Sequence, residues 1–376
     1  MKNYKRLLIS ATFITATLLF GCRRASSQAN NPNTLKEAFK DDFFIGMALN
    51  IRQINKTDIA TDSLISTQFN AITAENVMKA GLIHPSWGKF NFDAADKFVE
   101  YGKLNNMYIV GHTLIWHSQL PPFVQAITDV DSLRQFMELH IQTVAQRYSS
   151  SIDSWDVVNE ALNEDGSLRE SVFYKLLGED YIVEAFKEAA KAVPNSTLYY
   201  NDYNIEQPQK RAGAIKLIKK LQEAGVRIDG VGIQGHWNIK NLPLNEIEES
   251  IIEYSKLGLK VAITELDLSV LPNPWDLEGA DVNQQFEGGV EMNPYPDQLP
   301  DSVSRLLANN YEQLFRLFLK HRDKISRVTL WGVNDGHSWL NNWPIRGRTN
   351  YPLLFDRNNE PKEAFQRIIG IKNNSN

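Results

Sequence analysis

The feature that most constrains the fold of this chain is a series of eight short apolar runs separated by amphipathic segments. The runs cover residues 43–50, 68–74, 108–116, 152–160, 197–204, 228–235, 260–269 and 325–333. The intervening segments have the apolar spacing of helices, as at Leu133, Phe136, Met137, His140 and Val144. Because there is also no glycine-rich phosphate loop, the pattern predicts a single (β/α)8 TIM barrel rather than a doubly wound dinucleotide-binding fold.

Residues 1–21 have the composition of a secretory signal peptide. Three of the first six residues are basic, and the apolar run over 7–20 that follows is short for a membrane span. We therefore exclude this segment from the fold and predict an exported protein.

The signal segment ends in Leu-Phe-Gly-Cys, which resembles the lipobox of bacterial lipoproteins, although Phe20 stands where a small residue is usual. Cys22 is the only cysteine of the chain, so it has no partner for an intramolecular disulfide. We expect a lipid anchor at Cys22, a polar tether over 22–34 and the barrel over 35–376. The protein would then be a lipoprotein of the outer membrane or cell surface. The alternative is a lone cysteine in an ordinary signal peptide and a periplasmic or secreted protein.

The charge balance bears on the partners of the protein. The 376 residues carry a formal net charge of −5, and no long basic patch occurs, which argues against a nucleic-acid partner. A hydrophobic content of 43% describes a globular chain with an ample core. A barrel of this kind needs no partner subunit, and we expect a monomer.

Two of the apolar runs lead into a carboxylate. The run over 152–160 ends in Asn159 and Glu160, and the run over 260–269 reaches Glu265, with Asp267 two positions later on the same strand face. An Asn-Glu pair after one strand is more often a helix cap or a surface turn. A second such strand changes this interpretation, because barrel chemistry lies at the carboxyl ends of the strands and two carboxylates are the groups that glycosidic bond cleavage requires.

Other strand ends supply polar and aromatic residues that suit a sugar, whose hydroxyls need paired donors and acceptors and whose C–H faces stack on rings. A metal site is disfavoured because His112 and His117 are five positions apart and point to opposite faces of a strand. A serine hydrolase is disfavoured because there is no Gly-x-Ser-x-Gly elbow. We predict neither a metal nor another cofactor.

Seven segments then occur in an order that resembles glycoside hydrolase family ten, the endo-β-1,4-xylanases, over about residues 43–369. They are TAENVMK, GHTLIWHSQLP, WDVVNEAL, LYYNDYNIE, GIQGHW, ITELDL and WGVNDGHSWL. The resemblance implies that Glu160 is the general acid/base and Glu265 the nucleophile of a retaining hydrolysis of xylan and xylo-oligosaccharides. Retention requires the two carboxyl groups to lie about 5 to 5.5 Å apart.

The resemblance also implies the residues that bind the substrate. Asn159 would bond the sugar 2-hydroxyl at the point of cleavage, and His236 would orient the carboxylate of Glu265. The residues of the non-reducing side would be Glu75, Asn76, Lys79, His112, Trp116 and Gln234. Trp331 and Trp339 would cover the sugar that is attacked, and Tyr203 would lie toward the leaving side.

The sequence also leaves two other functions to be weighed and the role of one loop undecided. A barrel of this kind that cuts β-1,4-glucan or mixed-linkage glucan is an alternative, because xylose and glucose differ only by the C5 hydroxymethyl group. A glycan-binding lipoprotein with an inactive barrel is disfavoured, because Asn159, Glu160 and Glu265 are all present. The connection over 271–300 would either overhang the site and contact the leaving side of a polymer or form a disordered surface insertion.

Overall fold

A closed barrel of parallel strands forms the centre of the protein in this computed structural model, which describes residues 33–57 and 59–373. Within those residues the strands are β1 (Phe44–Leu49), β2 (Ala71–Ala74), β3 (Tyr108–Trp116), β4 (Ser154–Asn159), β5 (Thr197–Asp202), β6 (Gly230–Ile233), β7 (His236–Asn238), β8 (Lys260–Ser269) and β9 (Ile325–Leu330). Pairing runs from β6 through β5, β4, β3, β2, β1 and β9 to β8, and β6 also pairs with β8. That last pairing closes eight strands into a ring, which confirms the predicted (β/α)8 barrel.

All eight predicted runs contain a barrel strand. The runs over 108–116 and 260–269 match β3 and β8 residue for residue. The run over 228–235 is longer than β6 because Gly235, at φ +86°, breaks the strand. The short β7 follows that break and pairs with the outer end of β8, His236 opposite Asp267, and it was not predicted.

Helices connect the strands. In the described residues they are α1 (Leu35–Ala38), α2 (Ile51–Ile54), α3 (Ile59–Gln68), α4 (Ala80–Ile83), α5 (Asp93–Leu104), α6 (Pro122–Gln125), α7 (Val130–Arg147), α8 (Val172–Leu177), α9 (Asp180–Ala192), α10 (Pro208–Glu223), α11 (Leu244–Lys256), α12 (Asp301–Lys320) and α13 (Glu363–Asn373). Helix α7 shows how the sequence sets them: Asp129 caps its first turn by accepting from Ser132 N at 2.8 Å, and the predicted apolar face is buried.

The barrel interior contains a buried ionic path that ends at the site. Arg327 of β9 lies 3.5 Å from Asp156 of β4, and Asp156 lies 2.9 Å from Nδ1 of His112 on β3. Since β4 and β9 are not neighbours in the ring, the contact between Arg327 and Asp156 crosses the interior. All three side chains are buried, so Arg327 and Asp156 fix the position of His112 from the barrel interior.

The predicted leader over 1–21 and Cys22 lie outside the described residues, as does most of the predicted tether. Its last residue, Thr34, is described and caps α1 by accepting from Glu37 N at 3.4 Å. Within the described part of the chain no helix has both the length and the apolar character needed to cross a membrane.

Candidate active site

Glu160 is the first residue after β4 and is held in a left-handed backbone conformation at φ +55°. Its side chain is 5% exposed. Trp116 Nε1 donates to its Oε2 at 2.8 Å, and Gln234 Nε2 donates to its Oε1 at 3.0 Å. Burial raises the pKa of Glu160, and the nearby charge of Glu265 raises it further, while the two donors oppose the shift. The carboxyl group is therefore biased toward the protonated form.

Glu265 lies inside β8 rather than at its end. The strand pairs with β6 up to Ile263 and with β7 from Asp267, so it continues past the barrel rim. At that rim Asn201 Nδ2 donates to Glu265 Oε1 at 2.8 Å, and His236 Nε2 lies 3.3 Å from Oε2. Burial favours a higher pKa for Glu265, but His236, His112 and Asn201 outweigh it and lower the pKa. This carboxyl group is therefore biased toward the ionised form.

His236 belongs to a chain of contacts behind Glu265. Its Nδ1 lies 3.0 Å from Asp267 Oδ1, and Trp339 Nε1 donates to Asp267 Oδ2 at 2.8 Å. Burial favours a lower pKa for His236, but the charges of Asp267 and Glu265 raise it to about 10. A protonated imidazole thus lies against Glu265 at neutral pH, and Asp267 orients it rather than facing the cleft.

Asn201, at the end of β5, joins the two halves of the site. Its Nδ2 donates to Asn159 Oδ1 at 2.9 Å as well as to Glu265, and Asn159 Nδ2 donates to Glu160 Oε1 at 3.2 Å. Thr264 Oγ1 donates to Asn201 Oδ1 at 2.6 Å and so fixes the orientation of the amide. The sequence analysis missed Asn201, although it lies in the quoted segment LYYNDYNIE at the end of a buried strand.

Three of the predicted residues of the non-reducing side, Glu75, Asn76 and Lys79, follow β2. Lys79 Nζ donates to Asn76 Oδ1 at 3.0 Å, and Asn76 Nδ2 donates to Glu75 Oε1 at 3.0 Å. The Lys79 ammonium also lies 4.8 Å from the ring centroid of Trp116, which itself bonds Glu160. This polar group is thus continuous with the carboxylate pair.

Two tryptophans form an aromatic wall beside the histidines. The ring of Trp331 lies 5.5 Å from that of His112 and 6.4 Å from that of His236. The ring of Trp339 lies 4.9 Å from that of His236 and stacks on Trp343 at 4.4 Å. The wall provides the apolar faces on which a sugar ring can stack.

Tyr203 follows β5 and lies on the other side of Glu160. Arg169 NH2 donates to the Tyr203 hydroxyl at 2.7 Å, and Arg169 Nε donates to the backbone oxygen of Glu160 at 3.2 Å. The sequence analysis missed Arg169, because a basic residue in a loop carries no local sign of such contacts. Tyr203 thus joins the predicted site residues that end or follow a barrel strand, whereas His112 lies within β3.

The site pairs a carboxyl group that favours its proton with one that favours ionisation, between aromatic and polar side chains. This is the arrangement of a barrel glycoside hydrolase. The sequence model of glycosyl hydrolase family 10 matches residues 34–371. The chain belongs to this family.

Relatives and solved structures agree with this assignment. The chain is 40% identical to endo-1,4-beta-xylanase A of Xylanibacter ruminicola, covering 91% of this chain and 94% of that protein. It is 39% identical to an endo-1,4-beta-xylanase of Geobacillus stearothermophilus, covering 90% and 98%. A family 10 endoxylanase from a sugarcane soil metagenome superposes with a TM-score of 0.87 at 46% identity, covering 90% and 99%. A xylanase of Paenibacillus barcinonensis superposes with a TM-score of 0.80 at 35% identity, covering 91% and 99%.

Proposed function

We propose that the protein is an endo-β-1,4-xylanase that hydrolyses internal bonds of xylan with retention of configuration. The observation that carries the proposal is the opposite ionisation bias of Glu160 and Glu265, two side chains joined through Asn159 and Asn201. The xylanase relatives support xylan as the substrate.

In the first step the Glu265 carboxylate attacks the anomeric carbon while Glu160 gives its proton to the departing glycosidic oxygen. The bond to the leaving sugar breaks and a glycosyl ester of Glu265 forms. Because the negative charge of Glu265 is then lost, one cause of the raised pKa of Glu160 disappears. Glu160 can next take a proton from water, whose oxygen attacks the same carbon and releases Glu265.

The remaining side chains would bind and orient the chain of sugars. His236 holds Glu265 in position for attack, and Asn159 would bond the 2-hydroxyl of the reacting sugar. Trp331 and Trp339 would cover that sugar, and Tyr203 would lie beside the leaving group. The non-reducing side would use Glu75, Asn76, Lys79, His112, Trp116 and Gln234.

A β-1,4-glucanase is the second candidate, because a relative from Thermoclostridium stercorarium at 37% identity is named a thermostable celloxylanase. The test is release of reducing ends from xylan and from a soluble cellulose derivative by the wild type and Glu265→Ala. We expect cleavage of xylan only, and none by the variant. Comparable products from cellulose would contradict specificity for xylan. An active Glu265→Ala enzyme would contradict the assignment of Glu265 as the nucleophile.

We propose further that the enzyme is exported and held at a membrane by a lipid on Cys22, as a lipoprotein of the outer membrane or cell surface. The basic start, the short apolar run and the lipobox-like end of residues 1–22 support this. The tether would let the barrel reach an insoluble polymer, and the barrel would act as a monomer.

A further inference from the structure

The connection from β8 to α12 contains a segment that reaches across the mouth of the barrel. We name residues 277–286 the strap. In the ring of eight strands β4 lies opposite β9, and β3 lies opposite β8, from which the strap starts. The strap contacts Ser118, which follows β3, through Asn283 at 3.4 Å, and it contacts Pro344, which follows β9, through Phe286 N at 2.9 Å. It therefore spans the opening.

Asp281 is the central contact of the strap. Its Oδ2 lies 3.1 Å from Arg169 NH1, and its backbone oxygen accepts from Trp343 Nε1 at 3.2 Å. Arg169 also bonds the backbone of Glu160, whereas Trp343 stacks on Trp339. Because Trp339 bonds Asp267, Asp281 connects the side of the site that carries Glu160 with the side that carries Glu265.

The strap also covers the ring of Tyr203. Leu277 and Ala280 pack in one apolar cluster with Tyr203, Leu340 and Trp343. As a result only 3% of Tyr203 is exposed. An aromatic side chain in this position cannot stack on a sugar while the cluster is intact.

Gly279 makes this close approach possible. Its φ is +59°, and a Cβ added there would lie 2.4 Å from Tyr203 Cε2. Any other residue would therefore force the strap away from Tyr203 in addition to straining the backbone.

The strap lies on the leaving side of the site, if Glu160 and Glu265 act as in the proposed function. The leaving group departs opposite Glu265 and next to Glu160, where Arg169 and Tyr203 lie. Among the described residues no hydrogen bond or ion pair joins the strap to Glu75, Asn76 or Lys79. The described polar contacts of the strap thus do not include these three residues.

We propose that the strap closes the leaving side of the cleft in the free enzyme and must lift before a sugar chain can occupy that side. Asp281 and Gly279 then determine specificity for the leaving group, because they stabilise the closed state. A substrate whose leaving group is one small atom needs no lifting. The apparent affinity for a long substrate is reduced by the fraction of enzyme that is open.

The test compares kcat/KM for β-xylobiosyl fluoride, whose leaving group is fluoride, with kcat/KM for xylohexaose. Asp281→Asn weakens the ion pair with Arg169, and Gly279→Ala introduces the clash with Tyr203. We expect each to raise the xylohexaose-to-fluoride ratio roughly fivefold, the scale of one partly buried ion pair. The controls are Asp276→Asn, at an exposed position of the same connection, and Gly225→Ala, at φ +65° with no neighbour within 4 Å of the added Cβ. Neither control should change the ratio.

An unchanged or lower ratio in both strap variants would overturn the proposal. Hydrogen exchange of the backbone amides of the strap gives a readout that needs no activity. Exchange at Phe286, whose N–H bonds Pro344, should be faster in Asp281→Asn and Gly279→Ala than in the wild type and the controls. If the wild type cuts neither substrate, the proposed function fails. Equal hydrogen exchange in all five proteins would separately overturn the proposal that the strap closes the cleft.

Discussion

Asp267 acts on the ionisation of Glu265 through His236. It keeps His236 protonated, and the protonated ring in turn lowers the pKa of Glu265. Asp267→Asn should lower the pKa of His236 and therefore raise that of Glu265. Since activity requires ionised Glu265, the acidic limb of the kcat/KM profile should move to higher pH. Each pH unit by which the acidic limb moves lowers kcat/KM about tenfold at pH values below the limb.

The measurement is kcat/KM against pH for the wild type and Asp267→Asn, with Asp276→Asn, at an exposed position, as a control. A structural role for Asp267 alone would lower activity equally at every pH. A parallel profile with an unmoved acidic limb would therefore show that Asp267 does not act through ionisation of Glu265.

A sequence reveals a site residue when the residues next to it in the chain mark its position, and not when its role depends on distant contacts. Asn159 and Glu160 follow a run whose Trp155, Val157 and Val158 are apolar, so their place at a strand end was predictable. Asn201 was not identified, because its importance lies in a bond to Glu265, 64 positions away. Asp281 pairs with Arg169 112 positions away, and neither side chain has a local pattern that marks the pair. Such contacts exist only once the barrel has brought its loops together.

At the scale of the elements, the apolar runs located every barrel strand but not every boundary. Strand β7 was missed because it has three residues and directly follows the break at Gly235. That omission mattered for Glu265, since β7 is the strand that lets β8 continue beyond the rim. The connection over 271–300 had two interpretations from sequence, and in the structure hydrogen bonds join its strap to Ser118, Trp343 and Pro344.

The contact between the end of α4 and helix α7 sets a pH dependence of stability. His84 and His140 are both fully buried, and their Nδ1 atoms lie 3.2 Å apart. Burial lowers the pKa of His84 to about 4 and that of His140 to about 3. Between those values and the unfolded value near 6.5 the unfolded chain binds more protons, so stability falls as the pH falls. For His140 the loss at pH 5 is about 2 kcal/mol.

His140→Leu removes one titrating group while keeping an apolar side chain. At pH 7 the variant should be less stable than the wild type, since His84 loses its partner. Between pH 7 and 5, however, its free energy of unfolding should fall by about 2 kcal/mol less than that of the wild type. Urea unfolding at both pH values measures this difference. If the free energy of unfolding falls equally between pH 7 and 5 in the two proteins, the acid sensitivity comes from another group.

At the scale of the whole molecule, the family match covers residues 34–371 and does not include the amino-terminal segment. An enzyme that acts on an insoluble polymer gains from being held where soluble products can be taken up, and a lipid on Cys22 would hold it there. A single acyl chain binds membranes only weakly, whereas the several chains of a lipoprotein anchor bind stably. The proposed anchor therefore predicts firm membrane association of a protein whose catalytic part is a globular barrel.

Metabolic labelling with an alkyne fatty acid, followed by recovery of the full-length protein from membranes, tests this anchor. The wild type should carry the label and enter a detergent phase, and Cys22→Ser should carry none, because the acylated thiol is missing. Ser26→Ala, a small change in the same tether, should be labelled like the wild type. Both variants should cut xylan at the wild-type rate after solubilisation, since the tether contributes no residue to the site. Label retained by Cys22→Ser would contradict lipidation at this cysteine while leaving the barrel and its chemistry as described.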